Sequence, residues 1–510
     1  LAVSGALAAG ARAARHAAIP PAAPSLVTAR PPAIRTVAVM PFVNTGDRAA
    51  DDYFSDGLTD ELSHALARLP GLRIAGRTSS YTFKGRSVAA PQVGRALGVG
   101  ALVTGTVRRA GDRLRVSTQL VSTTDGTVLW DSVTESRSRD VFAVQDEFTR
   151  AIVAALTPAL GGRPAAASAA AVGRGTTDQE AYELYLKGRY YWLQRSTADV
   201  ARSIAYFRQA IARDSLFARA HAGVAMAYSV LPVYLAGPTD ATTVLTMASA
   251  RRAVALDSTL ADAQLALGTA LDLQLQFPEA LAHYRRALAL DPSSVTGHHW
   301  LGFSLLNVGR TDEALVELRH ATALDPLATS PAAAVATGLL FTRRFPEAAA
   351  AARRVLALDS TFWFANYTLG LAQAFGGRPD SAIRTLERGT RLNPAGPGHH
   401  AALVFAYAAA GRWADAERVR AQLHRLGGDP SGGTEAAFAD LVFGDREPLV
   451  RLLTSDAGQR RYIAPGGVFG CDPLLDPLWA DARFRAAMRS LGVGRCALAR
   501  PWPLPARPGA

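Results

Sequence analysis

Lysine is almost missing from this chain. Among 55 basic residues in 510 positions, only Lys84 and Lys187 are lysine and the rest are arginine. With alanine so abundant, that bias reflects GC-rich codon usage rather than a selected basic surface. The formal net charge of +12 is therefore a poor argument for a nucleic-acid partner, and the arginines are interleaved with 43 acidic residues instead of forming a stripe. Cysteine is scarce too. Cys471 and Cys496 are too few and too poorly spaced for a structural zinc site. One disulfide in an oxidising compartment and two free thiols both fit them. Catalytic signatures are lacking: there is no G-x-S-x-G, no H-E-x-x-H, no P-loop and no pair of H-R-D with D-F-G. Leu1 to Ala11 is apolar but too short alone to span a bilayer, and Arg12, Arg15 and His16 follow it. It reads as the end of a membrane span, the end of a signal peptide or an Ala-rich leader, with a Pro/Ala linker completing residues 1–34.

What is present falls into two parts. From Arg35 to Phe42 a β-branched run predicts a buried strand, and Leu58, Leu62, Ala65 and Leu69 then recur at helical spacing until Pro70-Gly71. Leu72–Ala75 predicts a second strand and Val93–Leu97 a short helix. Ala101–Arg108, Arg113–Ser122 and Thr127–Thr134 follow as three strands joined by Gly-Asp and Asp-Gly turns. Leu114, Val116, Thr118 and Leu120 share one face of the middle strand. Asp140–Leu156 closes the unit as an amphipathic helix. The order β-α-β-α-β-β-β-α predicts a small α/β domain with helices on a mixed sheet, over residues 35–160.

Here a resemblance enters. The stretch from "TVAVMPFVNTGD" through "SSYTFKG", with "LGVGALVTGTVRRAGDRLRVSTQLVSTTDGTVLWDSVTE" and "VFAVQDEFTRAIVAAL", resembles the TolB amino-terminal-like domain. The resemblance implies a domain without enzymatic activity of its own. Such domains often follow a transmembrane helix, with a cytoplasmic adenylate cyclase, serine/threonine kinase or winged-helix module upstream of it, and tetratricopeptide repeats usually come after them. Within the domain, Asp51, Asp52, Asp56 and Asp60 could bind a cation or act as acid and base. The preferred reading is solvated charge at a helix N-terminus.

Residues 161–177 form a Gly/Ala-rich linker, and beyond them the chain repeats itself. Ala280, Ala314, Ala348, Ala382 and Ala416 lie one 34-residue period apart, with Gly268, Gly302, Ala336, Gly370 and Val404 on the same period. Small residues at two such places let two antiparallel helices cross closely. The pattern resembles the tetratricopeptide repeat (TPR). About seven repeats fill residues 178–428, five of them in strict register, and together they predict an all-α superhelical solenoid. Residues 429–500 read as a degenerate repeat with capping helices, in which Leu478, Trp479, Phe484 and Met488 cover the last apolar face. Residues 501–510 read as a disordered tail.

The TPR resemblance implies a concave groove lined by the first helix of each repeat. Its positions fall on His299, Trp300, Phe303, Asn307, Phe341, Phe364, Tyr367, Phe375 and Phe405. That lining suits an extended or helical peptide with apolar anchors; the alternative is that several of these rings are core. His298-His299 and His399-His400 lack a third ligand at helical spacing, so no metal and no other cofactor is expected.

The chain is therefore read as a non-catalytic scaffold or sensory region of a bacterial signalling protein that binds protein or peptide partners. The alternatives are the regulatory half of a membrane-bound transcription regulator, kinase or cyclase, and an unrecognised enzyme in the α/β domain. A membrane tether at the N-terminus with periplasmic soluble domains is expected. The arginines after Ala11 sit awkwardly with that orientation, so a cytoplasmic placement stays open.

Overall fold

The computed structural model describes residues 34–46, 52–69, 71–110, 113–137, 147, 150–154, 175–194, 196–234, 239–392, 398–425, 430–455 and 471–494. The expected leader, the linker over 161–174, Cys496 and the 501–510 tail lie outside them, as does most of the helix expected over 140–156.

Six strands build one mixed sheet. They are β1 (Thr36–Val39), β2 (Val43–Asn44), β3 (Arg73–Ile74), β4 (Ala101–Ala110), β5 (Arg113–Ser122) and β6 (Val128–Arg137). The order is β3-β1-β4-β5-β6, with β2 beside β4. β1 runs parallel to β3 and β4, whereas β4, β5 and β6 form an antiparallel meander. Leu114, Val116, Thr118 and Leu120 are all buried, as their alternation requires. The helices α1 (Asp52–Ala67), α2 (Arg77–Tyr81) and α3 (Ala90–Leu97) accompany the sheet, and residues 150–154 are helical as well. α2 and β2 are additions to the expected order.

From Gln179 onward the described residues are helical and paired. The first pair is α4 (Gln179–Gln194) with α5 (Thr197–Arg213), the second α6 (Ala218–Tyr234) with α7 (Thr239–Leu256). The five units in register follow: α8 (Ala261–Asp272) with α9 (Phe277–Leu290), α10 (Val295–Asn307) with α11 (Thr311–Leu324), α12 (Thr329–Phe341) with α13 (Phe345–Leu358), α14 (Trp363–Phe375) with α15 (Pro379–Leu392), and α16 (His399–Ala409) with α17 (Trp413–Arg425). Close crossing explains the small residues. A Cβ on Gly302 would lie 2.6 Å from Leu318, and one on Gly370 would lie 2.4 Å from Leu386. The turn inside each unit needs a left-handed residue, supplied by Gly309, Gly377 and Gly411 but by Leu275 and Arg343 in two units.

After α18 (Pro430–Val442) and α19 (Glu447–Thr454), a 3-10 segment (Pro473–Ala480) and α20 (Ala482–Ser490) close the described chain. Leu478, Trp479, Phe484 and Met488 are buried there. This segment also runs back along the array. Gly494 N–H donates to the Val308 carbonyl at 3.2 Å, and the Arg343 guanidinium donates to the Cys471 carbonyl at 2.6 Å and to Asp476 at 2.7 Å. Cys471 is disulfide-bonded, so the free-thiol alternative fails for it. One continuous apolar core runs from the sheet through the repeats to this segment.

Candidate partner-binding surface

The residues read as groove lining divide in two. His299, Trp300 and Phe303 on α10 are half-buried, and so are Phe364 and Tyr367 on α14. Their rings associate within each helix: His299 meets Phe303 edge-on at 5.2 Å, and Phe364 stacks on Tyr367 at 6.2 Å. Burial raises the Tyr367 phenol well above its ordinary pKa, and the Asp472 and Glu435 carboxylates add to the shift. Asn307, Phe341, Phe375 and Phe405 are buried. Phe375 packs against Phe405 at 4.6 Å and Phe345 at 5.6 Å, so these rings belong to the packing between neighbouring repeats. For Phe341, Phe375 and Phe405 the core alternative therefore describes the structure, and the accessible aromatic surface narrows to α10 and α14.

The earlier first helices present a different surface, and the α/β domain already sits on it. Arg219 on α6 reaches the Glu61 carboxylate of α1 with both guanidinium nitrogens, at 2.5 and 3.3 Å, and all of it is buried. Burial pushes the Glu61 carboxyl up, but Arg219, with His64 and Arg189 near it, outweighs that and holds the group below its ordinary pKa. Arg189 on α4 lies 3.6 Å from Asp60 and 3.7 Å from Asp262. Lys187 stands over the Tyr53 ring at 4.9 Å, and Arg109 of β4 lies 3.6 Å from Glu183. These residues escaped the sequence reading because each is unremarkable alone and gains its role only from a partner far along the chain.

The acidic group on α1 needs correction. Asp56 and Asp60 are buried rather than solvated, because α2 and α4 bring cations over them. Asp60 accepts from Arg77 at 2.6 Å, and Asp56 accepts from Lys84 at 2.7 Å. Burial raises the Asp56 pKa although Lys84 and Arg77 oppose it. Each carboxylate is thus committed to a structural ion pair. Among the described residues no group of His, Cys, Asp and Glu is arranged to hold a metal ion. His298 instead bridges the Glu317 carboxylate at 2.6 Å and the Pro292 carbonyl at 3.0 Å.

Residues 276–309 match the TPR repeat family. Over 195 residues the chain is 34% identical to "Putative adenylate cyclase 3" of Rhizobium meliloti (strain 1021), a match covering 38% of this chain and 33% of that protein. The chain thus spans about a third of that relative's length. Among solved structures, Pseudomonas aeruginosa pilF is 18% identical, covers 42% of this chain and 93% of its own, and has a TM-score of 0.35. YrrB, described as a TPR protein with an unusual peptide-binding site, is 21% identical over 37% of this chain and 93% of its own, with a TM-score of 0.28. The family match falls on α9 and α10, whose 34-residue register the neighbouring pairs share. The helical array is a tetratricopeptide-repeat solenoid set behind a small α/β domain.

Proposed function

We propose that this chain is a non-catalytic, partner-binding region of a bacterial signalling protein, and that it takes a protein or peptide segment with apolar anchors on α10 and α14. The observation that carries the reading is the set of half-buried rings His299, Trp300, Phe303, Phe364 and Tyr367 on first helices of the array. Large amphipathic rings lose little conformational freedom on binding and contribute most where a partner excludes water from them. The relative named as an adenylate cyclase supports a setting in which an output domain belongs to the same protein. The resemblance to the TolB amino-terminal-like domain favours the same setting, with a membrane tether and soluble domains outside the cytoplasm. A disulfide at Cys471 suits that compartment. The test compares partners captured by the full chain and by Trp300→Ala with Phe303→Ala, quantified by mass spectrometry. At least one partner should fall tenfold or more. Equal capture of every partner would remove the groove assignment.

A further inference from the structure

The "LDP" and "LDS" ends of the repeats carry an aspartate with a repeated duty. Asp257 accepts from the Thr259 N–H at 2.8 Å, Asp291 from Ser293 at 3.0 Å and Asp359 from Thr361 at 2.8 Å, each closing its own turn. Asp325 holds the same place in the α10–α11 unit and does something else. Its carboxylate accepts from the backbone N–H groups of Ser79 at 2.7 Å and Thr78 at 3.2 Å, and from the Ser79 hydroxyl. These N–H groups open α2, whose N-cap is Gly76 and so brings no side chain of its own. The helix cap of the α/β domain is thus lent by a repeat about 250 residues away.

Three further bonds complete the contact. Gly76 N–H donates to the Leu324 carbonyl at 2.6 Å, Arg73 to the Ala323 carbonyl at 3.0 Å, and Leu327 N–H to the Ser79 hydroxyl at 2.8 Å. Burial follows the same pattern. Leu290, Leu358 and Leu392 are 39%, 46% and 40% exposed at one register position, whereas Leu324 at that position is 7% exposed. The α/β domain therefore bridges the array, touching α4 and α6 through α1 and the α11–α12 turn through α2.

We propose that the first-helix face of the opening repeats is a self-binding surface whose occupant is the chain's own α/β domain, and that Asp325 is the latch that holds it there. Arg189 and Arg219 occupy first-helix positions that in an open array face a partner; here they meet Asp60 and Glu61 of α1. A foreign partner is confined to the later repeats while the latch is closed, and gains the earlier face once α2 lets go. The contact joins these polar and charged pairs to apolar packing, in which Leu186 of α4 lies against Gly57 of α1.

The inference rests on the reading that partners use the concave face, but its test needs no partner. Amide hydrogen exchange is measured on the full chain for Asp325→Ala, Gly76→Ala and Asp359→Ala. Asp325→Ala removes the cap. Gly76→Ala keeps a backbone alanine tolerates, at φ −62°, and puts a methyl 2.4 Å from the Asp325 Cβ. Asp359→Ala deletes a turn of the same kind whose carboxylate accepts from Thr361 within the array. Exchange over residues 76–83 and 182–189 should rise tenfold or more in the first two variants and stay unchanged there in the third. A response equal to that of Asp359→Ala, or a rise at 76–83 alone, would overturn the latch. A groove that binds nothing would instead appear only in the capture experiment above.

Discussion

Arg219→Met isolates the charge at the centre of the interface between α1 and the array. Arg219 and Glu61 are both buried and joined at 2.5 Å. Removing the guanidinium strands a carboxylate inside the protein, which costs about 3–5 kcal/mol, whereas replacing both partners by apolar groups of like volume is often near neutral. The single substitution should raise the opening equilibrium by roughly two to four decades at 1.36 kcal/mol per decade. Glu61→Leu with Arg219→Met should recover most of that loss. The assay is native-state amide exchange at Tyr182–Arg189 near pH 7, because a repeat array with a second domain need not unfold in one step. The pH dependence has a definite sign. Glu61 is held below its ordinary value of 4.5, so the wild-type contribution is present above that pH and lost as pH falls through the lowered value. In Arg219→Met, only His64 and Arg189 are left to oppose the burial of Glu61, which favours its protonated form, so acid should relieve that variant while it weakens the wild type. A change below tenfold, or a double variant no better than the single, would refute the reasoning.

Two more outcomes can be checked on the full chain. Asp272 accepts from Tyr284 at 2.9 Å and from Ser304 at 2.8 Å, and burial raises its pKa to about 7. A raised carboxyl favours the folded state below its unfolded value and loses that contribution as pH rises through about 7. Asp272→Asn should therefore flatten the decline in urea stability between acid and neutral pH and gain about 2 kcal/mol at pH 8; an unchanged slope would remove Asp272 as its cause. Gly370→Ala would gain about 1 kcal/mol in an open helix. Here the methyl would meet Leu386 at 2.4 Å, so the thermal midpoint should fall by the equivalent of about 1–3 kcal/mol. A rise in the midpoint would show that the crossing can relax.

The repeats were legible because their physics is local and recurrent: a close crossing demands a small residue every 34 positions, and each repeat shows it. The three-strand meander was legible for a similar reason, since Leu114, Val116 and Leu120 alternate between turn signals. α2 was not. Arg77-Thr-Ser-Ser-Tyr81 is short and polar, and its cap, Asp325, comes from another part of the chain. The acidic group misled for the same cause: nothing near Asp56 in the sequence announces that Lys84 and Arg77 will close over it. Phe375 and Phe405 fell on groove positions by register, yet their rings found each other before solvent. One overlooked clue was readable. The left-handed turn residue is glycine at 309, 377 and 411 but arginine at 343, a strained choice of about 1 kcal/mol or more that its bonds to Cys471 and Asp476 offset.

The returning C-terminal segment bears on how the protein is made. A simple solenoid can finish each repeat as it leaves the ribosome, since a repeat needs only its neighbour. Here the Val308 carbonyl and the Arg343 guanidinium wait for Gly494, Cys471 and Asp476. At synthesis rates of roughly 5–20 residues per second, the middle repeats stand uncovered for on the order of ten seconds or more. During translation those turns are an exposed edge that a chaperone can grasp, and a chain truncated before Cys471 would keep that edge bare for its whole life.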